Sequence, residues 1–325
     1  MKKEVLSTIK SSETDDYLDT RVVRPLAYLC ACLFAKLNLS PNTVTVISMF
    51  VGAASALFFL SGSFYYAGAV GVFYNIIAFL LLATAAVLDC TDGQLARMTG
   101  KTSRLGRILD GIAGFTWYVP IYFCLILRFY NHHDIEFNWF GIEDTPENIL
   151  MATVFIVFLI GVSGFFCLAE QSRVADYYIQ THLFFLKGEK GSELENSTHL
   201  KQMYDEMPWE GNKLWKTFLK TYINYTKLQE KKTPQFQALM QRLKLKYGSS
   251  DNFPSEIRQQ FHQHSKPLMK LVPLLTFNFR TIVFIVLCLL DIPIEYFVFE
   301  IVVMTILSEY CVHRHEKFCK ELCRQ

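Results

Sequence analysis

The chain is short of charge. Only 19% of its 325 residues are charged and they sum to +2, too weak a single-sign field to hold nucleic acid. Its nine cysteines include no Cys-x-x-Cys pair, so thiols resting in apolar surroundings are the expected state rather than a redox or metal motif. No internal repeat and no low-complexity tract occurs. The absence of a twice-used motif argues against a transporter built from inverted halves. A cleavable signal peptide is not expected, because the first apolar stretch follows a polar, acidic start of about 20 residues.

What fills the space left by charge is hydrocarbon: 51% of residues are hydrophobic and 28 are Phe, which strains any reading as a water-soluble globule. Six apolar runs approach the ~20 residues that cross a bilayer: 45–62, 66–88, 107–128, 149–169, 269–290 and 294–312. Each must be helical, since lipid offers the backbone no hydrogen-bond partner. Basic residues cluster before the first run (Lys2, Lys3, Lys10, Arg21, Arg24, Lys36), between the second and third (Arg97, Lys101, Arg104, Arg107) and in the tail (Arg314, Lys317, Lys320, Arg324). The 129–148 connection is acidic instead. The excess of Lys and Arg on alternate loops places both termini and the 170–267 segment in the cytosol.

Three further features complete the expected layout. Residues 17–36 carry apolar side chains at helical spacing, edged by Arg21, Arg24 and Lys36, the pattern of an amphipathic helix lying in the membrane interface. Ser40-Pro41 then breaks that helix, and Asn42 or Thr43 can cap the next. Residues 170–267 have the composition of a cytosolic helical insertion, with helices at about 209–231, 234–247 and 254–264 bounded by Pro208, Pro234, Gly248 and Pro254. Its aromatics (Trp209, Trp215, Phe218, Tyr222, Tyr225) are expected to pack on one another. The chain therefore reads as an all-α integral membrane protein, a six-transmembrane-helix bundle. Its parts are an N-terminal segment 1–44, helices one to four over 45–169, the insertion 170–267, and helices five and six with a tail over 268–325.

Chemistry concentrates between the second and third apolar runs: Asp89-Cys90-Thr91-Asp92-Gly93-Gln94-Leu95-Ala96-Arg97, then Gly106-Arg107-Ile108-Leu109-Asp110. Carboxylates beside apolar spans are costly and need a compensating partner. Asp89 and Asp92 stand at i and i+3, so one helix face presents both, and Asp110 can oppose them from the next helix. Hard oxygen donors at such a junction suit Mg²⁺ or Mn²⁺. Gly93 and Ala96 leave room for a ligand, Arg97 reaches a phosphate, and Gly106 clears space one turn before Asp110.

The pattern Asp89-x2-Asp92-Gly93-x2-Ala96-Arg97-x8-Gly106-x3-Asp110 resembles the signature of the CDP-alcohol phosphotransferases. Pro41-Asn42-x2-Thr45, the preceding amphipathic helix and six spans are similar to that family as well. The resemblance is close over residues 15–130, covers the last two spans in topology only, and leaves out 170–267. It implies a divalent metal held by Asp89, Asp92 and Asp110. Gly93, Ala96, Arg97, Gly106, Asn42 and Thr45 would line the donor site, and Asp110 and Asp92 would carry the catalytic work. It implies a CDP-linked donor such as CDP-diacylglycerol, a small alcohol or lipid acceptor, release of CMP, membrane lipids as surroundings, and a homodimer. The active site is expected to face the cytosol.

One position departs from the signature, which continues with a further aspartate one turn after Asp110. That position is Gly114 here. Three readings stay open: Asp110 or Asp92 takes the acceptor proton, the metal acidifies the hydroxyl enough to lessen the need for a base, or the chain binds a CDP-lipid without turnover. Arg280, inside the fifth run, and Arg104 are the remaining phosphate-binding candidates. For Arg280, pairing with Glu300 or Glu309 is an equal alternative. His313 and His315 are expected at the interface rather than as ligands.

Overall fold

A computed structural model describes residues 13–14 and 18–324. Among them every regular element is helical. After a π turn at Asp19–Val23 come α1 (Arg24–Lys36), α2 (Pro41–Leu60), α3 (Ala69–Thr99), α4 (Arg104–Asn131), α5 (Asp134–Phe140) and α6 (Pro146–Lys187). The chain continues with α7 (Ser197–Glu206), α8 (Lys213–Lys232), α9 (Pro234–Tyr247), α10 (Ser255–Leu268), α11 (Phe277–Leu289) and α12 (Glu295–Arg324). It divides into two units, one comprising residues 1–9, 16–166 and 280–301, the other 10–15, 167–279 and 302–325.

Among the described residues five helices, α2, α3, α4, α6 and α12, are long and apolar enough to cross a membrane, as in a multi-pass membrane protein. The expected fifth span, 269–290, is shorter in the structure. Val272–Leu275 is a 3₁₀ turn holding Pro273, and Thr276 is extended, so α11 begins only at Phe277 and runs 13 residues. Thirteen residues rise ~20 Å, short of a ~30 Å hydrocarbon core. Phe50, Leu57, Phe158 and Phe165 lie exposed on the long helices, the outward apolar face of helices whose solvent is lipid.

In the first unit α2 packs on both α3 and α4, and α1 on α3. Such proximity requires small residues. A Cβ at Gly52 would stand 2.2 Å from Trp117 Cδ1 of α4. Ala31 of α1, Val44 of α2 and Leu88 and Leu95 of α3 form a buried apolar cluster. Opposite Ala27 and Ala31, which are buried, Leu26, Leu29 and Leu33 of α1 are exposed. Near the C-terminal end of α4, Arg128 pairs with Asp291 and donates to the Phe59 carbonyl at 3.1 Å. Asp291 also accepts from Ser63 Oγ and Tyr65 N, both at 2.7 Å.

Helix starts follow the local chemistry. Ser40 accepts from Thr43 N with Pro41 in the first turn, Ser103 accepts from Gly106 N, and Thr145 accepts from Asn148 N. Each side chain satisfies an amide that the first helical turn leaves unpaired. The α3 helix ends at Gly100, whose φ of 68° is the left-handed conformation that glycine adopts without strain.

The second unit contains helices close to those expected from its Pro and Gly punctuation. Its aromatics pack on one another: Trp215 stacks on Phe218 at 5.3 Å, and Phe218, Tyr222 and Tyr225 continue the ladder along α8. Phe185 of α6 stacks on Phe261 of α10 at 3.8 Å. His315 is buried, not interfacial, and stacks on Tyr178 at 4.3 Å.

Candidate active site

Three helices of the first unit bring the motif together. α3 carries Asp89, Asp92, Gly93, Ala96 and Arg97, α4 contributes Gly106 and Asp110 from its first two turns, and α2 presents Asn42 and Thr45 from its own first turn. The aspartates at 89 and 92 lie well inside α3, which continues to Thr99. One helical face therefore holds both rigidly.

The three carboxylates are close enough to repel one another: Asp89 feels the charge of Asp110 and of Asp92. Their exposures differ. Asp92 is buried, Asp89 half-buried and Asp110 exposed. Thr45 Oγ1, itself buried, donates to Asp92 Oδ2, fixing which way that carboxylate faces. Asp89 Oδ1 is inaccessible and makes no hydrogen bond. Buried carboxylate oxygens are normally partnered. An orphaned one beside two further carboxylates is the arrangement a divalent cation satisfies, and the all-oxygen donor set suits a hard ion.

Gly106 is explained by its neighbours. A Cβ at Gly106 would fall 2.8 Å from Asn42 Oδ1, and Asn42 Oδ1 in turn accepts from Ser103 Oγ at 3.3 Å. Gly106 and Asn42 thus pack the starts of α2 and α4 together. At Gly93 a Cβ would make only ordinary contact, at 3.4 Å, with the guanidinium of exposed Arg97, whose charge acts on Asp92. Around Gly114 there is open space: a Cβ there meets nothing within 4 Å.

Residues 38–182 match the family model described as CDP-alcohol phosphatidyltransferase. Over that stretch the chain is similar to CDP-alcohol phosphatidyltransferases. It is 36% identical over 91 residues to the archaetidylinositol phosphate synthase of Pyrococcus horikoshii, covering 28% of this chain and 42% of that protein. It is also 36% identical over 78 residues to an uncharacterized protein of Aquifex aeolicus, covering 24% of this chain and 34% of that one. The chain thus spans less than half the length of these curated relatives. No solved structure matches it.

The matched region begins just before α2 and ends within α6, so it contains all of Asp89 to Asp110. Arg280 lies beyond it. Its guanidinium pairs with Glu300, which also accepts from Ser163 Oγ and from Tyr296 Oη at 3.0 Å, and both charged residues are buried. Arg280 thus makes the structural ion pair with Glu300. The Arg104 side chain lies outside the described residues. Ser163 and Tyr296 carried no signal in the sequence, because their meaning comes from contacts across the bundle.

Proposed function

We propose that this chain is a phospholipid-synthesising transferase that moves a substituted phosphate from a CDP-linked donor to an acceptor hydroxyl and releases CMP. The observation that carries this reading is the carboxylate trio Asp89, Asp92 and Asp110 with a buried, unpartnered Asp89 oxygen. Asp89, Asp92 and Asp110 would hold Mg²⁺ or Mn²⁺. Bound there, the ion would polarise the phosphoryl oxygens and neutralise charge on the departing nucleotide.

The remaining residues take parts that their positions support. Thr45 holds Asp92 in register, Arg97 supplies a fixed cation for donor phosphate, and Gly93 and Ala96 keep the α3 surface low where the nucleotide approaches. Gly106 and Asn42 keep α2 and α4 close, so that Asp110 faces Asp89. For the acceptor proton we assign Asp110. It is exposed where an incoming hydroxyl can reach it, whereas Asp92 is buried and engaged by Thr45 and Asp89 is half-buried. The distribution of basic residues supports a site facing the cytosol, with CDP-diacylglycerol drawn from the adjoining leaflet.

The test is release of CMP by the purified full-length chain given CDP-diacylglycerol, Mg²⁺ or Mn²⁺, and a panel of acceptors that includes inositol phosphate, glycerol phosphate, serine and inositol. Inositol phosphate heads the panel because the Pyrococcus relative is named for an inositol phosphate lipid. Metal-dependent CMP release with one acceptor supports the reading. Nucleotide binding without turnover on any acceptor would favour a silent CDP-lipid-binding role, and absence of both would remove the proposal.

A further inference from the structure

Outside the aspartate motif, the second unit gathers a donor set of different chemistry. Glu13 of the N-terminal segment, His182 of α6 and His262 of α10 converge with one ligand atom from each within 4.8 Å of the others. Glu13 Oε2 lies 2.9 Å from His262 Nε2 and 3.3 Å from His182 Nε2. A tetrahedral zinc ion with bonds of ~2.0–2.1 Å sets its ligand atoms about 3.4 Å apart. The His182 separation is near that value, and the His262 separation is a hydrogen-bond distance that would widen by about 0.5 Å on binding.

Ser265 Oγ faces Nδ1 of His182, and the proposed site takes the tautomer in which that hydroxyl accepts. The Ser265 hydroxyl donates to the His262 carbonyl at 3.3 Å, which leaves its oxygen to accept the Nδ1 proton of His182 at 2.8 Å. Nε2 of the neutral ring then carries a lone pair. That nitrogen is buried, makes no hydrogen bond and faces a carboxylate oxygen. In this tautomer two electron pairs face each other at 3.3 Å, an arrangement that a cation between them would satisfy. A histidine whose second nitrogen is held by a hydroxyl, with its first aimed at a carboxylate, is the arrangement that orients a metal-ligating imidazole.

We propose that Glu13, His182 and His262 form a second metal site, selective for a borderline-soft dication of the zinc type, which clips the N-terminal segment onto α6 and α10. Imidazole donors favour such an ion over Mg²⁺. Lys266 Nζ stands 3.6 Å from Glu13 Oε1, so the carboxylate coordinates through Oε2 alone while Oε1 keeps its lysine. Binding displaces the proton that His262 shares with Glu13. A neighbouring trio, His315, Glu316 and Cys319, is committed elsewhere, because Glu316 accepts the Gln235 and Phe236 amides at the start of α9.

The experiment titrates ZnCl₂ into the full-length protein in detergent with millimolar Mg²⁺ present, followed by metal analysis after gel filtration. One zinc per chain is expected. Glu13→Gln and His262→Ala change residues near the surface and should retain the fold while losing that zinc, and Ser265→Ala should weaken it by ~10–100-fold. Substituting Co²⁺ should give tetrahedral d–d bands without a thiolate charge-transfer band. Unchanged zinc in Glu13→Gln and His262→Ala, a thiolate band from the free cysteines, loss of the zinc in Asp89→Asn, or no zinc retained by the wild type would each overturn the proposal.

Discussion

Thr45 and Asp92 stand 47 residues apart and meet by a buried hydroxyl-to-carboxylate hydrogen bond that joins α2 to α3. The contact fixes one carboxylate of the trio from outside its own helix. Replacing Thr45 by Val keeps the shape but removes the hydroxyl. CMP release is expected to fall ~10–100-fold, the usual cost of losing a partner that orients a metal ligand. Thr45→Ser should stay close to wild type. Equal loss in the Ser and Val variants would mean that packing of the methyl group, not the hydrogen bond, is what matters.

Gly114 sits in open space, so Gly114→Asp is expected to leave the melting temperature unchanged within a degree or two. With Asp110 as the base, the added carboxylate should alter turnover by less than ~10-fold, whereas removing a base costs about 10²–10⁴. Turnover rising by ~100-fold or more would show that the wild-type chain lacks a base and that the assignment of Asp110 is wrong.

The aspartate motif was legible because its chemistry is local: three carboxylates on two adjacent helices read directly from spacing. The helices of the second unit were legible for a similar reason, since Pro234, Gly248 and Pro254 mark their ends. Thr45 was placed in the site by resemblance, but its bond to Asp92 depends on how closely α2 and α3 approach. The close approach of Gly106 to Asn42, where a Cβ would fall 2.8 Å from Oδ1, likewise depends on how α2 and α4 pack. The late start of α11 in the fifth apolar run is not legible because hydropathy averages over Pro273 and Thr276, whereas helix formation depends on each residue. Glu13, His182 and His262 are spread over 250 residues and carry no common pattern along the chain.

Arg128 and Asp291 lock the far end of the first unit. Eighteen residues of helix separate Asp110 from Arg128, roughly 27 Å of rise, so their loss should act on stability rather than on the site. Asp291 holds φ 65°, a conformation that Asn tolerates well. Asp291→Asn therefore isolates the charge. It leaves Arg128 buried without its counter-ion and is expected to cost ~3–5 kcal/mol. Thermal unfolding in detergent measures this. A melting temperature equal to wild type would mean that the pair contributes no net stability.

Glu136 of α5 provides a pH test outside the membrane-spanning helices. It is largely buried, and burial pushes its carboxyl up from 4.5 to about 7. Between those values the folded chain keeps a proton that the unfolded chain has released, so this group's contribution to stability falls as pH rises through the window and levels off above about 7. Glu136→Gln removes the titration while keeping the shape. The substitution should raise the melting temperature more at pH 8 than at pH 5, by several degrees if ~1 kcal/mol is recovered. An equal shift at both values would show that the proton of Glu136 is not coupled to folding.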